Sequence, residues 1–126
     1  MIPLVVLGLS RVLLARNAAW PWLVLVPEVA DVSETTDLSD SDQQRLWHEV
    51  AIVTRALQTT TSAYKMNIAT LGNVVRQLHI HVVARFEHDP AWPSPIWGSG
   101  HSKVWETEAQ TALMTALRER LSGLAV

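Results

Sequence analysis

Hydrophobic and polar positions alternate along several short stretches of this chain and fall into a helical rhythm along two longer ones. From Ile2 to Ala15 the sequence is almost continuously apolar, interrupted by Gly8, Ser10 and Arg11. That run predicts a buried strand pair starting almost at the first residue, with Gly8 as a bulge or turn. Ser10 to Ala15 and Trp22 to Val26 are rich in Val and Leu and flank Arg16-Asn17-Ala18-Ala19-Trp20-Pro21, which predicts an antiparallel pair closed by a hairpin connection. Pro27 stops the second strand, and the polar stretch from Asp31 to Asp40 reads as a surface loop.

Ser41-Asp42-Gln43-Gln44 has capping-box spacing, and Leu46, Val50, Val53 and Leu57 then recur at intervals of four, three and four. An amphipathic helix to about Gln58 follows, its stripe widened by Trp47 and Ala51 and ended by Thr59-Thr60-Thr61-Ser62. Tyr64 to Ala69 predicts a short strand, Leu71-Gly72-Asn73 a turn, and Val74 to Arg85 a longer strand. The Trp/Pro-rich segment from Ala91 to Gly98 cannot form regular structure, and its tryptophans need a surface to cover, in this domain or a second subunit. A terminal helix is expected from about Ser102 to Leu121, with Trp105, Ala109, Ala112, Leu113, Ala116 and Leu117 on one face.

The chemistry concentrates in Gln77-Leu78-His79-Ile80-His81-Val82-Val83. On a strand, Gln77, His79, His81 and Val83 line one face while Leu78, Ile80 and Val82 can be buried on the other, so two imidazoles stand side by side on a fixed register. Such a pair suits a metal site, an active site, or merely the wet face of a half-buried strand. A metal site needs further ligands, and the chain has no cysteine. His48, His88 and His101 lie on the helix, beyond the strand and in a Gly/Ser-flanked loop, and are expected to face solvent.

At 126 residues and 48% apolar composition the chain suits one domain, residues 1–126. A net charge of −2, with both signs mixed along the chain, gives no footprint for a nucleic-acid polymer. Neither a signal peptide nor a membrane span is expected, because the N-terminal run lacks a basic leader and Arg11 interrupts it. Without cysteine there is no disulfide framework or thiol nucleophile, which fits a cytoplasmic location.

These residues resemble the histidine-triad (HIT) family, whose signature is three histidines alternating with apolar residues and followed by two more apolar positions. The likeness extends to Leu13-Leu14-Ala15-Arg16-Asn17 before Pro21 to Pro27, and to Lys65-Met66-Asn67 before the Gly72-Asn73 turn. Gln77 through Arg85, followed by Trp92 to Gly98, is similar to a bacterial subgroup. The family core therefore spans about 10–98, with a C-terminal helix at about 102–121.

The resemblance implies an α+β fold: an antiparallel sheet of about five strands, a central helix and a C-terminal helix, usually paired as a homodimer. It also implies a nucleotide hydrolase or nucleotidyl transferase acting at the α-phosphate of a small nucleotide, as in diadenosine polyphosphate hydrolases or enzymes of nucleoside phosphoramidates. By that likeness His79 is the nucleophile, and an imidazole with an ordinary pKa near 6.5 suits the role. His81 donates to the phosphate or leaving group, or orients His79. Gln77 supports, Asn67 and Asn73 meet phosphate, Asn17 meets the ribose, and no cofactor or metal is required.

Gln77 stands in place of the first histidine and keeps a hydrogen-bonding amide that cannot titrate. Val74 stands near where many relatives carry Ser or Thr, and relatives often have upstream residues that enclose the base, so a pocket that is more open or differently closed is expected. The alternative implied by these departures is a non-catalytic module that senses AMP-like ligands.

Overall fold

The computed structural model describes residues 1–123; the last three residues of the expected 1–126 domain lie outside the described residues. Strands β1 (Ile2–Val6) and β2 (Ser10–Leu14) are joined by a tight turn at Gly8, where the Leu7 amide donates to the Ser10 carbonyl at 2.8 Å. Then come β3 (Trp22–Pro27), helix α1 (Asp40–Thr61), β4 (Lys65–Ala69), β5 (Ile80–Arg85) and helix α2 (Thr107–Ser122). The five strands form one antiparallel sheet in the order β1-β2-β3-β5-β4. The expected α+β architecture of sheet, central helix and C-terminal helix is the one observed.

One sheet face and two helices enclose the main core. Leu23 and Leu25 of β3 and Ile80, Val82 and Ala84 of β5 meet Leu46, Val50, Val53 and Leu57 of α1, in the helical rhythm read from the sequence. Each fully buried Leu or Val side chain contributes about 1.5–3 kcal/mol. Trp47 and Ala51 do not widen this stripe; both are exposed, and Glu49 and Ala56 are buried instead. Glu49 is buried because its carboxylate accepts the amides of Leu9 and Ser10 at 2.8 and 2.9 Å, clamping the end of the β1–β2 turn to the helix.

Helix boundaries moved where several polar residues competed for one role. The N-cap of α1 is Ser39, whose hydroxyl accepts from the Asp42 amide at 3.2 Å, and not Ser41. Buried Leu38 draws the chain into the core just before that point. The threonine run does not stop α1 at Gln58, because Thr61 bonds back to the Leu57 carbonyl at 2.8 Å; left-handed Ser62 ends it. Similarly α2 begins at Thr107 rather than near Ser102, since residues before it are tied to the β2–β3 connection: Ala18 N donates to Lys103 O at 2.9 Å and Trp105 Nε1 to Ala15 O at 3.0 Å. Its buried face is Met114, Leu117 and Leu121, while Ala109 and Ala112 are exposed.

On the opposite sheet face the Trp/Pro segment folds back over β5. Arg85, itself fully buried, donates to both carboxylate oxygens of Asp89 at 2.8 and 3.1 Å, to Asn67 Oδ1 at 2.8 Å and to Ser94 O at 2.7 Å. Its guanidinium also lies 5.4 Å from the Trp92 ring centroid. Burial alone would raise the Asp89 carboxyl, but hydrogen bonds from Arg85 and the Phe86 amide outweigh it and hold the pKa well below the usual carboxylate range. This network places Ile96 and Trp97 against Trp20, Trp22 and Val83.

Both of these carboxylates hold buried donors in place. Glu49→Ala leaves two buried amides without acceptors and is expected to cost about 2 kcal/mol or more, read as a lower denaturant midpoint at unchanged slope; a loss under about 0.5 kcal/mol would mean that water replaces the clamp. Asp89→Ala strands a buried guanidinium and is expected to cost about 3–5 kcal/mol. Because the folded pKa of Asp89 is depressed, its contribution is present above the unfolded value near 3.9 and is lost as pH falls further. The wild type should therefore lose stability more steeply than Asp89→Asn in acid melts below about pH 4; parallel slopes would contradict the role given to this carboxylate.

Candidate active site

The sequence predicts one strand from Val74 to Arg85, but the strand begins only at Ile80. Pairing with β3 stops at Leu25↔Ile80, and the preceding residues are fastened instead to the connection that follows β3. Leu78 N donates to Val32 O at 2.9 Å and Gln77 Nε2 to Val29 O at 3.3 Å. His79 therefore precedes the strand, yet its ring still stands beside that of His81, with 5.0 Å between centroids.

Hydrogen-bond partners assign a tautomer to each ring. His79 Nδ1 lies 2.7 Å from the Gln77 carbonyl oxygen, which can only accept, so Nδ1 carries the proton and Nε2 keeps its lone pair. His81 Nδ1 lies 3.0 Å from Trp22 Nε1, which can only donate, so in His81 the proton sits on Nε2. In their neutral forms the two rings thus present opposite groups on Nε2, a lone pair on His79 and an N–H donor on His81.

His81 is buried, and Trp22, Trp97 and His79 pack around it, with the two indole centroids 5.6 and 5.3 Å away. Burial first, and the proximity of His79 second, lower its pKa from the ordinary 6.5 to about 4, so the ring is neutral at pH 7. Beside His79 an apolar cavity of about 190 Å³ is lined by Met1, Val24, Val26, Val75, Gln77 and His79. Its size suits a base-sized group and falls below the about 300–1,000 Å³ of pockets that engulf a whole ligand.

Gln77 joins the histidines through its backbone, while its amide turns away to Val29. A carbonyl is available whatever the side chain, so this position can lose a histidine without losing the orientation of His79. Asn67 lies on β4 opposite Val83, with its Oδ1 engaged by Arg85. Asn73 is exposed on the loop after left-handed Gly72. Asn17 points elsewhere: its Nδ2 donates to His101 O at 3.0 Å, and its Oδ1 accepts from Ala19 N and Lys103 N at 3.0 and 3.1 Å. Val74 is 92% exposed, and His48, His88 and His101 are exposed as expected. Among the described residues, no three His, Cys, Asp or Glu side chains come together to hold a metal ion.

Trp22, Trp97 and Arg85 are site residues that sequence reasoning passed over. Arg85 shares the alternation of His79, His81 and Val83, and Trp22 that of Val24, so strand parity carried a signal for both. Trp97 had none, because it arrives from an irregular segment.

The HIT domain family model matches residues 5–88. Among solved structures, a histidine triad protein from Sinorhizobium meliloti 1021 is 44% identical, with a TM-score of 0.91 over 95% of this chain and 89% of that one. One from Bradyrhizobium japonicum is 41% identical, with a TM-score of 0.93 over 94% of this chain and 89% of that one. A third, from Marinobacter aquaeolei VT8, is 37% identical, with a TM-score of 0.92 over 98% of this chain and 90% of that one. No functionally curated protein matches the sequence. With the family model covering most of its length and three close structural relatives sharing its fold, this chain belongs to the HIT domain family.

Proposed function

We propose that the protein is a nucleotide hydrolase or nucleotidyl transferase that attacks the α-phosphate of a small nucleotide through a nucleotidyl-histidine on His79. The observation that carries this reading is the hydrogen bond of 2.7 Å from His79 Nδ1 to the Gln77 carbonyl, which leaves the lone pair on Nε2 of a ring that lines an apolar cavity. Nε2 forms a bond to phosphorus as the bond to the leaving group breaks, and that bond's electron pair departs with the leaving group. The Gln77 carbonyl steadies the Nδ1 proton of the cationic ring that results. Water, or another acceptor, then attacks phosphorus, loses a proton to solvent, and releases the nucleotide from a regenerated imidazole.

His81 supports the charge on phosphorus as a neutral Nε2–H donor in a water-poor setting, where such a bond is worth most. Asn67 keeps its Nδ2 donors, since only its Oδ1 is engaged, and Asn73 offers an amide from the exposed loop. Asn17 holds the 101–103 segment, so a ribose contact from it would require its Nδ2 to exchange the bond to His101 O. The scheme uses side chains and solvent and calls for no cofactor or metal; a cytoplasmic setting fits the cysteine-free sequence.

Two copies are expected to pair. Among the described residues strand β4 ends the sheet with an unpaired edge, and beside it Ile68 and Trp47 are 46% and 45% exposed along a groove of about 400 Å³ that Val50, Ala51 and Thr54 also line.

His79→Asn should lower kcat by about 10⁴-fold or more while nucleotide still binds. Intact-mass measurement of wild type quenched during turnover should show a nucleotidyl adduct that the variant lacks. A variant that kept its rate would remove His79 from the mechanism, and tight AMP binding without turnover of any dinucleotide or phosphoramidate would favour a sensing module. For the assembly, sedimentation velocity at micromolar concentration should give a dimer that Ile68→Glu converts to monomer; a monomeric wild type would exclude the pairing.

A further inference from the structure

The leaving group is constrained by a contact outside the histidine pair. Trp22 sits on β3, with its backbone opposite Val83, and its indole reaches diagonally to His81 Nδ1 at 3.0 Å. An indole nitrogen has one proton and no lone pair to offer, so it matches only an unprotonated Nδ1. Protonating His81 there would set two N–H groups against each other.

We propose that Trp22 is a positioning residue that holds His81 as the Nε2–H imidazole, denies it the role of general acid, and so directs this site to phosphoanhydrides in preference to phosphoramidates. The inference rests on the reading of His79 as nucleophile and His81 as donor. When His79 attacks a phosphoanhydride, the P–O electron pair leaves on a phosphate oxygen whose conjugate acid has a pKa of about 6, and no proton is needed. When it attacks a phosphoramidate, the P–N pair leaves on nitrogen, which must gain a proton to depart as an amine. A neutral His81 giving up its Nε2 proton would become an imidazolate, a far poorer state than the imidazole left behind by an imidazolium acid.

Among the described residues the surroundings of His81 supply no other acid. Trp97 packs on it from the 89–98 segment, and Val24 of β3 and Ala69 of β4 face it across the sheet, and none of these titrates; the adjacent His79 ring disfavours an imidazolium. Burial first, and His79 second, lower the His81 pKa to about 4, and the indole contact selects which nitrogen of that neutral ring keeps the proton. General acids typically supply about 10²–10⁴-fold, which is the factor a phosphoramidate forgoes here.

The test pairs a substrate comparison with a direct measurement of the ring. With diadenosine tetraphosphate and adenosine 5′-phosphoramidate as probes, wild type should favour the anhydride in kcat/KM by about a hundredfold or more. Trp22→Phe, which keeps an aromatic ring against Trp97 but removes the N–H, should narrow that ratio at pH 6 by raising phosphoramidate turnover. Nitrogen-15 spectra of labelled histidine should show His81 as the Nε2–H tautomer throughout pH 5.5–8 in wild type, a range above its lowered pKa. In the variant, protonation should move up in pH.

Equal or reversed substrate preference in wild type overturns the leaving-group inference, and a His81 found as the Nδ1–H tautomer or as imidazolium at pH 7 overturns the role of Trp22. Neither result depends on the variant folding. Absence of turnover with both probes would defeat the hydrolase reading, and the substrate preference with it, while the spectra of wild type alone still decide whether Trp22 sets the tautomer.

Discussion

Strand β5 is buried along its whole length and on both faces, and the rest of the molecule is arranged around that constraint. Ile80, Val82 and Ala84 are committed to the helical core, while His81, Val83 and Arg85 are committed to the layer of tryptophans on the other side. A slip of one residue would push two polar side chains into the aliphatic core and bring apolar ones to the site, so the register carries a large penalty against error. The histidines inherit their precision from that packing, not from contacts with each other.

The second face is unusual in burying polar groups and satisfying them. Arg85 and Asp89 have side chains 1% and 4% exposed, and every side-chain hydrogen bond from Arg85 ends on Asn67 of β4, on Asp89 or on Ser94 of the Trp/Pro segment. A buried ion pair contributes little net stability over an apolar substitute but penalises strongly any arrangement that separates its partners. Here the separated arrangement is one in which the 89–98 segment lifts from the sheet. Holding that segment down brings Trp97 against the His81 ring, so the placement of a loop and the burial of the site are linked through one guanidinium.

Histidine pairs are often described by their spacing alone, but the partners of the far ring nitrogens distinguish these two. A carbonyl behind His79 and an indole behind His81 leave one neutral ring with a lone pair on Nε2 and the other with an Nε2–H donor. The same view explains why glutamine is tolerated at position 77, where the useful atom belongs to the backbone.

Periodicity alone determined much of this protein. The rhythm of Leu46, Val50, Val53 and Leu57, the alternation through Leu78, Ile80 and Val82, and the glycine at position 8 each reflect local rules, and the helix, the β5 faces and the first turn followed them. Where the rules were degenerate, tertiary contacts decided: Ser39 over Ser41 because Leu38 is buried, Thr107 over Ser102 because the 101–105 stretch is tied to the β2–β3 connection, and Ile80 over Val74 because Leu78 bonds to Val32. The positions of His79 and His81 were legible since strand parity is a property of neighbours in sequence. The partners that set their chemistry were not, because the indole of Trp22 is 59 residues from His81 and reaches it only through the pairing of β3 with β5.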